Sequence, residues 1–302
     1  MNIILIGDIM IDRNFYMTSS RNCPEDNNIP VCIIERSEDK LGGTANVAVN
    51  LKNLGHDVNL VSIKGDEGAG VALIDHELWD KGFDLRQITR CKNRKSVEKN
   101  RYYLGNKLIF RNDNEDSFKI GALTESKILD NLKDLFNMKI DLVVISDYDK
   151  GLITKGIVDE VKYLSNINNV RIIVDPKPNN IDLFTDVYLL KPNLNEMSLI
   201  YESEVNLDNI LEASRCVSDK FNIDFIVTSL SKDGIYLYDK DNDTGKLYNN
   251  KFVNKDEVID VTGAGDIVLS LIAHNIDDLD KAILEANKIA QESTKHLGVM
   301  YL

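Results

Sequence analysis

Residues 258–270 read VIDVTGAGDIVLS, where two glycines and a carboxylate interrupt an apolar run. Glycine lets the backbone turn and lets a ligand approach closely, which suits Gly263 and Gly265. The apolar residues that follow predict a helix. The free N–H groups at a helix start carry partial positive charge and bind anions. We therefore predict an anion site formed by Gly263, Ala264 and Gly265.

Asp266 falls in the first turn of this predicted helix. We expect the helix start to stabilise its charged form, so that the carboxylate is ionised at neutral pH. Beside an anion site, such a carboxylate can take a proton from a hydroxyl that attacks phosphorus. The alternative is a glycine turn with an aspartate at a helix start and no catalytic role.

The composition points to a globular protein with small-molecule partners. The chain has 302 residues, 43% of them apolar, which suffices for one large α/β domain or two small ones. A formal net charge of −13 argues against a general nucleic-acid surface. Because no apolar run has membrane-spanning length and no secretory pattern is present, we expect a cytoplasmic protein without membrane partners. Cys23, Cys32, Cys91 and Cys216 form no C-x-x-C pair, so we expect free thiols.

Short apolar runs alternate with helical patterns along most of the chain. The predicted strands cover residues 3–8, 58–65, 142–147, 171–175, 187–193, 224–229 and 234–239. The predicted helices cover residues 45–55, 70–81 and 153–164, with two more in 263–298. Alternating β and α elements predict a mostly parallel sheet covered by helices on both faces, which is a three-layer α/β/α architecture.

Two segments interrupt the alternation, residues 14–40 and residues 96–116. The second has strand-like runs on either side of Gly105 and Asn106, and neither segment has the apolar content of a central strand. We predict that they form a small projecting β-sheet that acts as a lid. An ordinary surface hairpin is the alternative. Without a linker or an internal repeat, the chain is predicted to be one domain, 1–302, with this lid.

Two further groups of residues fit a bound sugar. Gly42 and Gly43 precede a helix that carries Asn46 one turn in, and such backbone and amide donors suit a polyhydroxylated ligand. Asp8 and Asp12 follow the first strand, and ligands of open α/β sheets bind at the carboxyl ends of strands. The alternatives are a glycine pair used for helix packing and a pair of turn acids.

The stretch LKPNLNEM (190–197) places Asn193 and Glu196 three residues apart at the end of a strand and the start of a helix. An amide and a carboxylate there can lie beside a phosphate-bound Mg²⁺ and its water. The alternative is a helix N-cap with an acid in the first turn.

Together these motifs resemble the ribokinase-like sugar kinases of the PfkB family. The initial GD strand, LGGTANVAVNLKNLG, PNLNE and DVTGAGD occur in that order nearly end to end. The combination of GG-x-x-N-x-A with a late D-x-T-G-A-G-D is specific. The resemblance implies a ribokinase-like three-layer α/β/α fold with a small β-sheet lid, and an ATP-dependent carbohydrate kinase.

Within the family the chain resembles most the D-glycero-β-D-manno-heptose 7-phosphate kinases, through GDIMIDRNFY, SDYDKGLIT, VDPKPNN and LLKPNLNE. This implies transfer of the γ-phosphoryl of ATP to the anomeric hydroxyl of heptose 7-phosphate, giving the 1,7-bisphosphate. It also implies Mg²⁺ and a homodimer through the lid, and it leaves open a monovalent cation. The nucleotidyltransferase domain often fused to such kinases is not expected here.

The resemblance implies a role for each matching position. Asp266 is the expected catalytic base, with the anion hole at Gly263, Ala264 and Gly265. The expected sugar ligands are Asp12, Gly42, Gly43 and Asn46. The basic candidates for the sugar phosphate are Arg13, Lys177, Arg101 and Arg111, with Arg13 preferred because it adjoins Asp12. The expected ATP-side residues are Asn193, Leu194, Asn195, Glu196, Asp175, Lys177, Thr228 and Asn287, with Glu196 holding Mg²⁺ through water.

Two loops depart from the family pattern. Residues 228–234 read TSLSKDG instead of a shorter glycine turn, and residues 21–30 read RNCPEDNNIP instead of a Ser-Pro-Glu-Ala-Pro type stretch. Another acceptor therefore stays open, such as fructose, a hexose phosphate, ribose or a nucleoside, and so does a catalytically silent binding protein. A dehydrogenase or a P-loop enzyme is disfavoured because G-x-G-x-x-G and G-x-x-x-x-G-K-[ST] are missing.

Overall fold

The computed structural model describes residues 1–302 except 69, 106, 250–258 and 297, and describes Ser20 only in its backbone. The described strands are β1 (Asn2–Gly7), β2 (Ile9–Asn22), β3 (Pro30–Gly43), β4 (Asp57–Lys64), β5 (Ile88–Arg90), β6 (Val97–Leu104), β7 (Lys107–Asn114), β8 (Leu142–Ser146), β9 (Arg171–Asp175), β10 (Leu189–Leu190), β11 (Phe225–Ser229), β12 (Ile235–Asp239) and β13 (Thr244–Tyr248). The described α-helices are α1 (Thr44–Asn53), α2 (Gly70–Asp80), α3 (Ala122–Leu135), α4 (Lys155–Asn168), α5 (Leu194–Tyr201), α6 (Ile210–Phe221), α7 (Ala264–His274) and α8 (Leu279–Ser293).

The described part of the chain forms a large sheet in the order β13-β12-β11-β10-β9-β8-β1-β4-β5. Neighbouring strands pair in parallel along the stretch β11-β10-β9-β8-β1-β4-β5. Strands β12 and β13 extend the sheet beyond β11 in antiparallel pairs. In β1, Ile4 and Ile6 pack into the core on one face, and Ile3 and Leu5 pack into the core on the other. Since successive side chains of a strand point to opposite faces, the sheet is covered on both sides. The predicted three-layer architecture is confirmed.

The two helix layers follow from these cores. Helices α3, α4, α5 and α6 supply buried side chains to the core that contains Ile4, whereas α1, α2, α7 and α8 supply the core that contains Ile3. One predicted strand is shorter than expected, because only Leu189 and Leu190 of residues 187–193 are in β10. Pro192 has no N–H to give to a sheet, and the chain turns there toward α5.

The small separate sheet is also confirmed, in the order β3-β2-β6-β7. Strand β2 begins at Ile9, directly after β1, and β3 returns to end at Gly43, directly before α1. Its strands therefore start closer to the large sheet than the predicted segment 14–40 does. The β6–β7 connection includes Asn106, which lies outside the described residues. This path brings Asp12 and Gly42 to the base of the small sheet, next to the carboxyl end of β1.

Two simpler expectations concern the cysteines and the membrane. All four cysteines are free, with Cys91 buried. Among the residues that the structure describes, no helix combines the length and the apolar character needed to cross a membrane.

Candidate active site

Asp266 lies in the first turn of α7, as the sequence predicts. The residue before this helix, Gly263, has a φ of 82°, a left-handed conformation that side chains disfavour. A Cβ on Gly263 would also lie 3.0 Å from the Nδ2 atom of Asn46. Glycine is therefore needed there both for the backbone conformation and for the approach of α1. Asp266 itself is buried, with 7% of its surface exposed.

Each carboxylate oxygen of Asp266 accepts a hydrogen bond. Asn46, on α1, donates from Nδ2 to Oδ2 at 2.7 Å. Tyr148, in the loop after β8, donates from its hydroxyl to Oδ1. Three distant parts of the chain thus meet at one carboxylate. The sequence predicts Asn46 and Asp266, but assigns no role to Tyr148 within SDYDKGLIT.

Burial raises the pKa of Asp266, while the hydrogen bonds from Tyr148 and Asn46 and the positive charge of Lys191 act to lower it. The net pKa lies above the ordinary value of an aspartate. Desolvation of the buried carboxylate thus opposes the stabilisation of the charged form that we expect from the helix start. Ionisation of Asp266 at neutral pH stays a prediction. A base with a raised pKa binds a proton more strongly. Burial and the charge of Asp266 also raise the pKa of Tyr148, which therefore stays a hydrogen-bond donor.

On the side of the small sheet, Asp12 is buried and its Oδ1 accepts a hydrogen bond from Nη1 of Arg101 at 2.6 Å. A Cβ on Gly42 would lie 1.9 Å from Oδ2 of Asp12, so only glycine leaves room for this carboxylate. Asp12 is close enough for its charge to act on Asp266. The structure thus brings together Asp12, Gly42, Asn46 and Asp266, as predicted for the sugar side.

Arg13 is not brought into this cluster. It follows Asp12 in β2, and consecutive side chains of a strand point to opposite faces. Its Nε donates to Asp39 at 2.8 Å, and its guanidinium lies 5.0 Å from the centre of the Phe15 ring. The preference for Arg13 over Arg101 is corrected, because Arg13 is the neighbour of Asp12 in a strand and its side chain therefore points to the opposite face of the sheet.

Three basic residues share the face of the small sheet that carries Asp12. Lys99 of β6 is the direct cross-strand neighbour of Asp12. Arg101 lies two residues further along β6, and Arg111 of β7 pairs with Arg101 across the sheet. Arg101 is buried, Lys99 half-buried and Arg111 exposed. Basic charge is therefore concentrated beside Asp12.

At the start of α5, Asn193 and Glu196 form a reciprocal capping pair. Oδ1 of Asn193 accepts from the Glu196 N–H, and Oε2 of Glu196 accepts from the Asn193 N–H, both at 2.9 Å. The other oxygen of Glu196 accepts a hydrogen bond from Lys177. Leu194 and Asn195 form the first turn of the helix. The capping alternative is what the structure shows, and any contact of Glu196 with Mg²⁺ would run through water.

A lysine that the sequence analysis did not single out lies beside the anion site. Lys191 follows β10 and is almost completely buried, with its Nζ 3.0 Å from Oδ2 of Asp175. This Nζ is 3.9 Å from the position of a Cβ on Gly265. Burial raises the pKa of Asp175 to about 6, although the charge of Lys191 acts to lower it. The signal in the sequence that could have identified Lys191 is a lysine that follows a short apolar run.

The remaining predicted nucleotide residues lie on neighbouring elements. Thr228 is buried at the end of β11, and its hydroxyl has no hydrogen-bond partner among the described residues. The next residue, Ser229, donates its N–H to Pro192 O at 3.1 Å, which joins this loop to the start of α5. Asn287 on α8 donates to the Tyr248 carbonyl at 2.9 Å. Its predicted place near adenosine stays a prediction.

The loop that carries Tyr148 is held by two buried carboxylates. Asp8 accepts from the N–H groups of Lys150 and Leu152 at 3.1 and 3.2 Å. Asp147 accepts from the N–H of Asp149, whose φ of 54° is unusual for a residue other than glycine. Burial raises the pKa of Asp8 to about 6. The loop conformation that directs Tyr148 toward Asp266 is thus fixed by several contacts.

The described residues contain no group of three or more His, Cys, Asp or Glu side chains placed to bind a metal ion. The nucleotide side instead offers Glu196 with Lys177 and Asp175 with Lys191. These carboxylates are already neutralised by lysines, so the protein alone offers little to a bare cation. They fit an Mg²⁺ ion held mainly by ATP phosphates and water.

The chain matches the pfkB family carbohydrate kinase over residues 1–301, and it belongs to this family. It is therefore a carbohydrate kinase. It is 31% identical over 275 residues to the bifunctional protein HldE of Campylobacter fetus subsp. fetus, covering 90% of this chain and 57% of that protein. It is 33% identical to HldE of Sulfurimonas denitrificans, covering 95% of this chain and 58% of that protein. The chain thus spans a little under three fifths of the length of these two relatives.

Solved structures confirm the ribokinase-like fold. Phosphofructokinase-2 from Escherichia coli, in complex with substrates and products, gives a TM-score of 0.77 at 15% identity, covering 100% of this chain and 95% of that one. Ribokinase from Giardia lamblia gives a TM-score of 0.73 at 15% identity, covering 99% and 94%.

Replacing Asp266 by asparagine tests its role as a base. Asp266→Asn keeps the shape of the side chain but cannot take a proton, so we expect kcat to fall by roughly 10²–10⁴-fold. The measurement is steady-state ATP consumption with an acceptor that the unaltered enzyme uses. Asp159→Asn, at an exposed aspartate of α4, is the matched control and should keep its activity. A folded Asp266→Asn protein with near-normal kcat would contradict the assignment.

Proposed function

We propose that this protein transfers the γ-phosphoryl group of ATP to the anomeric hydroxyl of D-glycero-D-manno-heptose 7-phosphate, giving the 1,7-bisphosphate, a step toward nucleotide-activated heptose. The observation that carries the kinase chemistry is Asp266, buried at the start of α7 between Asn46 and Tyr148 and close to Asp12. The HldE relatives support heptose 7-phosphate as the acceptor. They agree with the motifs of this chain, which resemble those of heptose kinases.

The reaction needs a base, a site for negative charge and good positioning. The acceptor oxygen attacks the γ-phosphorus, its proton passes to Asp266, and the bond from the γ-phosphorus to the bridging oxygen of ADP breaks. We expect the N–H groups of Gly263 and Gly265 and the ammonium of Lys191 to stabilise the negative charge that develops on the phosphoryl oxygens. The Ala264 N–H, which the sequence analysis included in the anion site, already donates to the carbonyl of Val261 at 3.3 Å. The protein forms no covalent bond itself, so positioning and electrostatics account for the catalysis.

The nucleotide is proposed to bind along the ends of β9, β10 and β11. Lys177 and the start of α5 lie on this side, as does the Thr228 hydroxyl, which is buried without a hydrogen-bond partner among the described residues. Glu196 would hold an Mg²⁺ ion through water, and the ion would neutralise phosphate charge. A monovalent cation stays a prediction.

The face of the small sheet favours an acceptor that carries a phosphate. Lys99, Arg101 and Arg111 lie beside Asp12 in a chain whose net charge is −13, so this local basic cluster runs against the overall composition. Burial lowers the pKa of Lys99, while the charge of Asp12 acts to raise it. A partly desolvated ammonium gains more from a phosphate than an exposed one. Asp12 already neutralises Arg101 and Asp113 neutralises Arg111, so Lys99, which forms no ion pair of this kind with the described residues, is the strongest candidate for the phosphate.

The decisive experiment measures ATP consumption by the purified protein with Mg²⁺ and four acceptors in parallel: heptose 7-phosphate, fructose 6-phosphate, fructose and ribose. Products are identified by phosphorus NMR. We expect the highest kcat/KM with heptose 7-phosphate and a new anomeric phosphate signal. A higher kcat/KM with another acceptor would contradict the heptose assignment and keep the kinase chemistry. ATP binding without turnover of any acceptor would support the silent-relative alternative.

Replacing Lys99 by methionine tests the phosphate cluster. Lys99→Met removes one charge-assisted contact, so KM for heptose 7-phosphate should rise by about 10–100-fold, while KM for the unphosphorylated heptose stays unchanged. Arg13→Met is the matched control, because Arg13 lies on the opposite face of the sheet. Equal effects of Lys99→Met on both acceptors would contradict phosphate binding by Lys99.

We also propose a homodimer formed through the small sheet. Five apolar side chains on its outer strands are 45–58% exposed: Ile33, Ile34, Leu108, Ile109 and Phe110. Apolar surface of this kind is costly to leave in water, and a second copy of the same sheet packed on one face would cover the side chains that point to that face. Light scattering should give the mass of a dimer, and Ile33→Asp should shift it to a monomer. A monomer of the unaltered protein at working concentration would contradict this arrangement.

A further inference from the structure

The base of the proposed reaction already has a partner on each oxygen before any acceptor arrives. Asn46 donates to Oδ2 of Asp266, and Tyr148 donates to Oδ1. Only 7% of the surface of Asp266 is exposed, so little of the carboxylate is open to a third donor. An acceptor hydroxyl must donate to this carboxylate before it can lose its proton. Each carboxylate oxygen can accept more than one hydrogen bond, so it is the burial of Asp266 that requires one of the two existing donors to leave.

The two donors differ in their freedom to move. Asn46 is completely buried within α1, and its side-chain Oδ1 accepts a hydrogen bond from Nδ2 of Asn50 at 3.3 Å. Moving its amide would disturb a helix that packs against both the sheet and α7. Tyr148 instead lies on a loop at the edge of the sheet and is half-buried. The phenol can turn away while the loop backbone stays bound to Asp8.

The ring of Tyr148 lies between cations from both sides of the site. The Nζ atoms of Lys99 and Lys177 are each 5.9 Å from its centre, at the outer limit of a cation–π contact. Lys99 belongs to the proposed acceptor side and Lys177 to the proposed nucleotide side. Phosphates bound on these two sides would attract the two lysines and so weaken what holds the ring in place.

We propose that Tyr148 is a positioning residue that occupies the place of the acceptor hydroxyl on Oδ1 of Asp266 and leaves when the acceptor binds. This rests on the proposed kinase function. In the exchange, the phenol keeps its proton and the acceptor hydroxyl becomes the new donor to Oδ1. That hydroxyl proton then passes to Asp266 as its oxygen bonds to the γ-phosphorus and ADP departs.

The exchange has a consequence for water. A water molecule at Oδ1 would be activated by Asp266 just as a sugar hydroxyl is, and would hydrolyse ATP. A phenol on that oxygen excludes water until an acceptor competes for the same place. Tyr148 thus restricts the base to hydroxyls that also have the acceptor's other contacts, such as those with Asp12 and Lys99.

Replacing Tyr148 by phenylalanine removes the competing hydroxyl and little else. Because one net hydrogen bond no longer has to be displaced, KM of the acceptor should fall by about fivefold with kcat nearly unchanged. Hydrolysis of ATP without acceptor should rise by a similar factor, about fivefold, since water gains access to Oδ1. Tyr163→Phe, at an exposed tyrosine of α4, is the matched control and should change neither quantity.

A lowered kcat with unchanged KM and unchanged ATP hydrolysis would overturn the proposal, because Tyr148 would then stay on Asp266 throughout the reaction. That result would leave the kinase assignment intact. A wild-type protein that consumes no ATP with any acceptor would instead refute the kinase function, and this inference with it. Should Tyr148→Phe not fold, tyrosines labelled with ¹³C at Cζ in the wild-type protein give a second measurement. A tyrosine signal should then move on addition of acceptor, and no movement would contradict the exchange.

Discussion

The hydrogen bond between Asn46 and Asp266 is the contact on which the site depends, because it joins residues 220 positions apart in the chain. It requires α1 and α7 to approach closely, which Gly263 permits by having no side chain. It also requires β3 to deliver the chain into α1 at Gly43, after the long excursion through the small sheet. The same excursion places Asp12 near the base, and β6 brings Arg101 to Asp12. Fold and site are therefore fixed together by how α1 and α7 pack in one helix layer.

The site is built from charged groups that are expensive to bury. Asp8, Asp175 and Asp266 all have raised pKa values because of desolvation. Lys191 is paired with Asp175 in nearly complete burial, an arrangement that rarely adds to stability by itself. Such groups concentrate where a protein does chemistry, since stability is given up there for function. The polar cleft at the carboxyl ends of β8 to β11 thus differs from the apolar cores on either side of the sheet.

The sequence predicted whatever depends on local patterns. Alternating apolar runs identified the parallel sheet, and the glycines before Asp266 identified the start of α7. Tyr148 and Lys191 were missed because their roles arise from tertiary contacts, with residues 118 positions away for Tyr148. Arg13 is preferred over Arg101 in the sequence because it adjoins Asp12, but neighbouring side chains of a strand point to opposite faces, so this adjacency in β2 separates the two side chains. The family motifs, taken together, indicated the predicted sugar-binding residues better than the chemistry of any single residue did.

Titration of Asp266 tests most directly whether this residue is a buried base with a raised pKa. The carboxyl pKa of Asp266 is measured by ¹³C NMR in the free protein and compared with the acidic limb of the pH profile of kcat/KM, which reports groups of the free enzyme. Since the ionised form is the active one, activity should fall as the pH drops through this pKa. We expect the pKa from NMR and the pKa from the pH profile to coincide and to lie above 3.8, the ordinary pKa of an aspartate. A pKa of Asp266 at or below 3.8, or an acidic limb that does not match this pKa, would contradict the role of Asp266 as a base with a raised pKa.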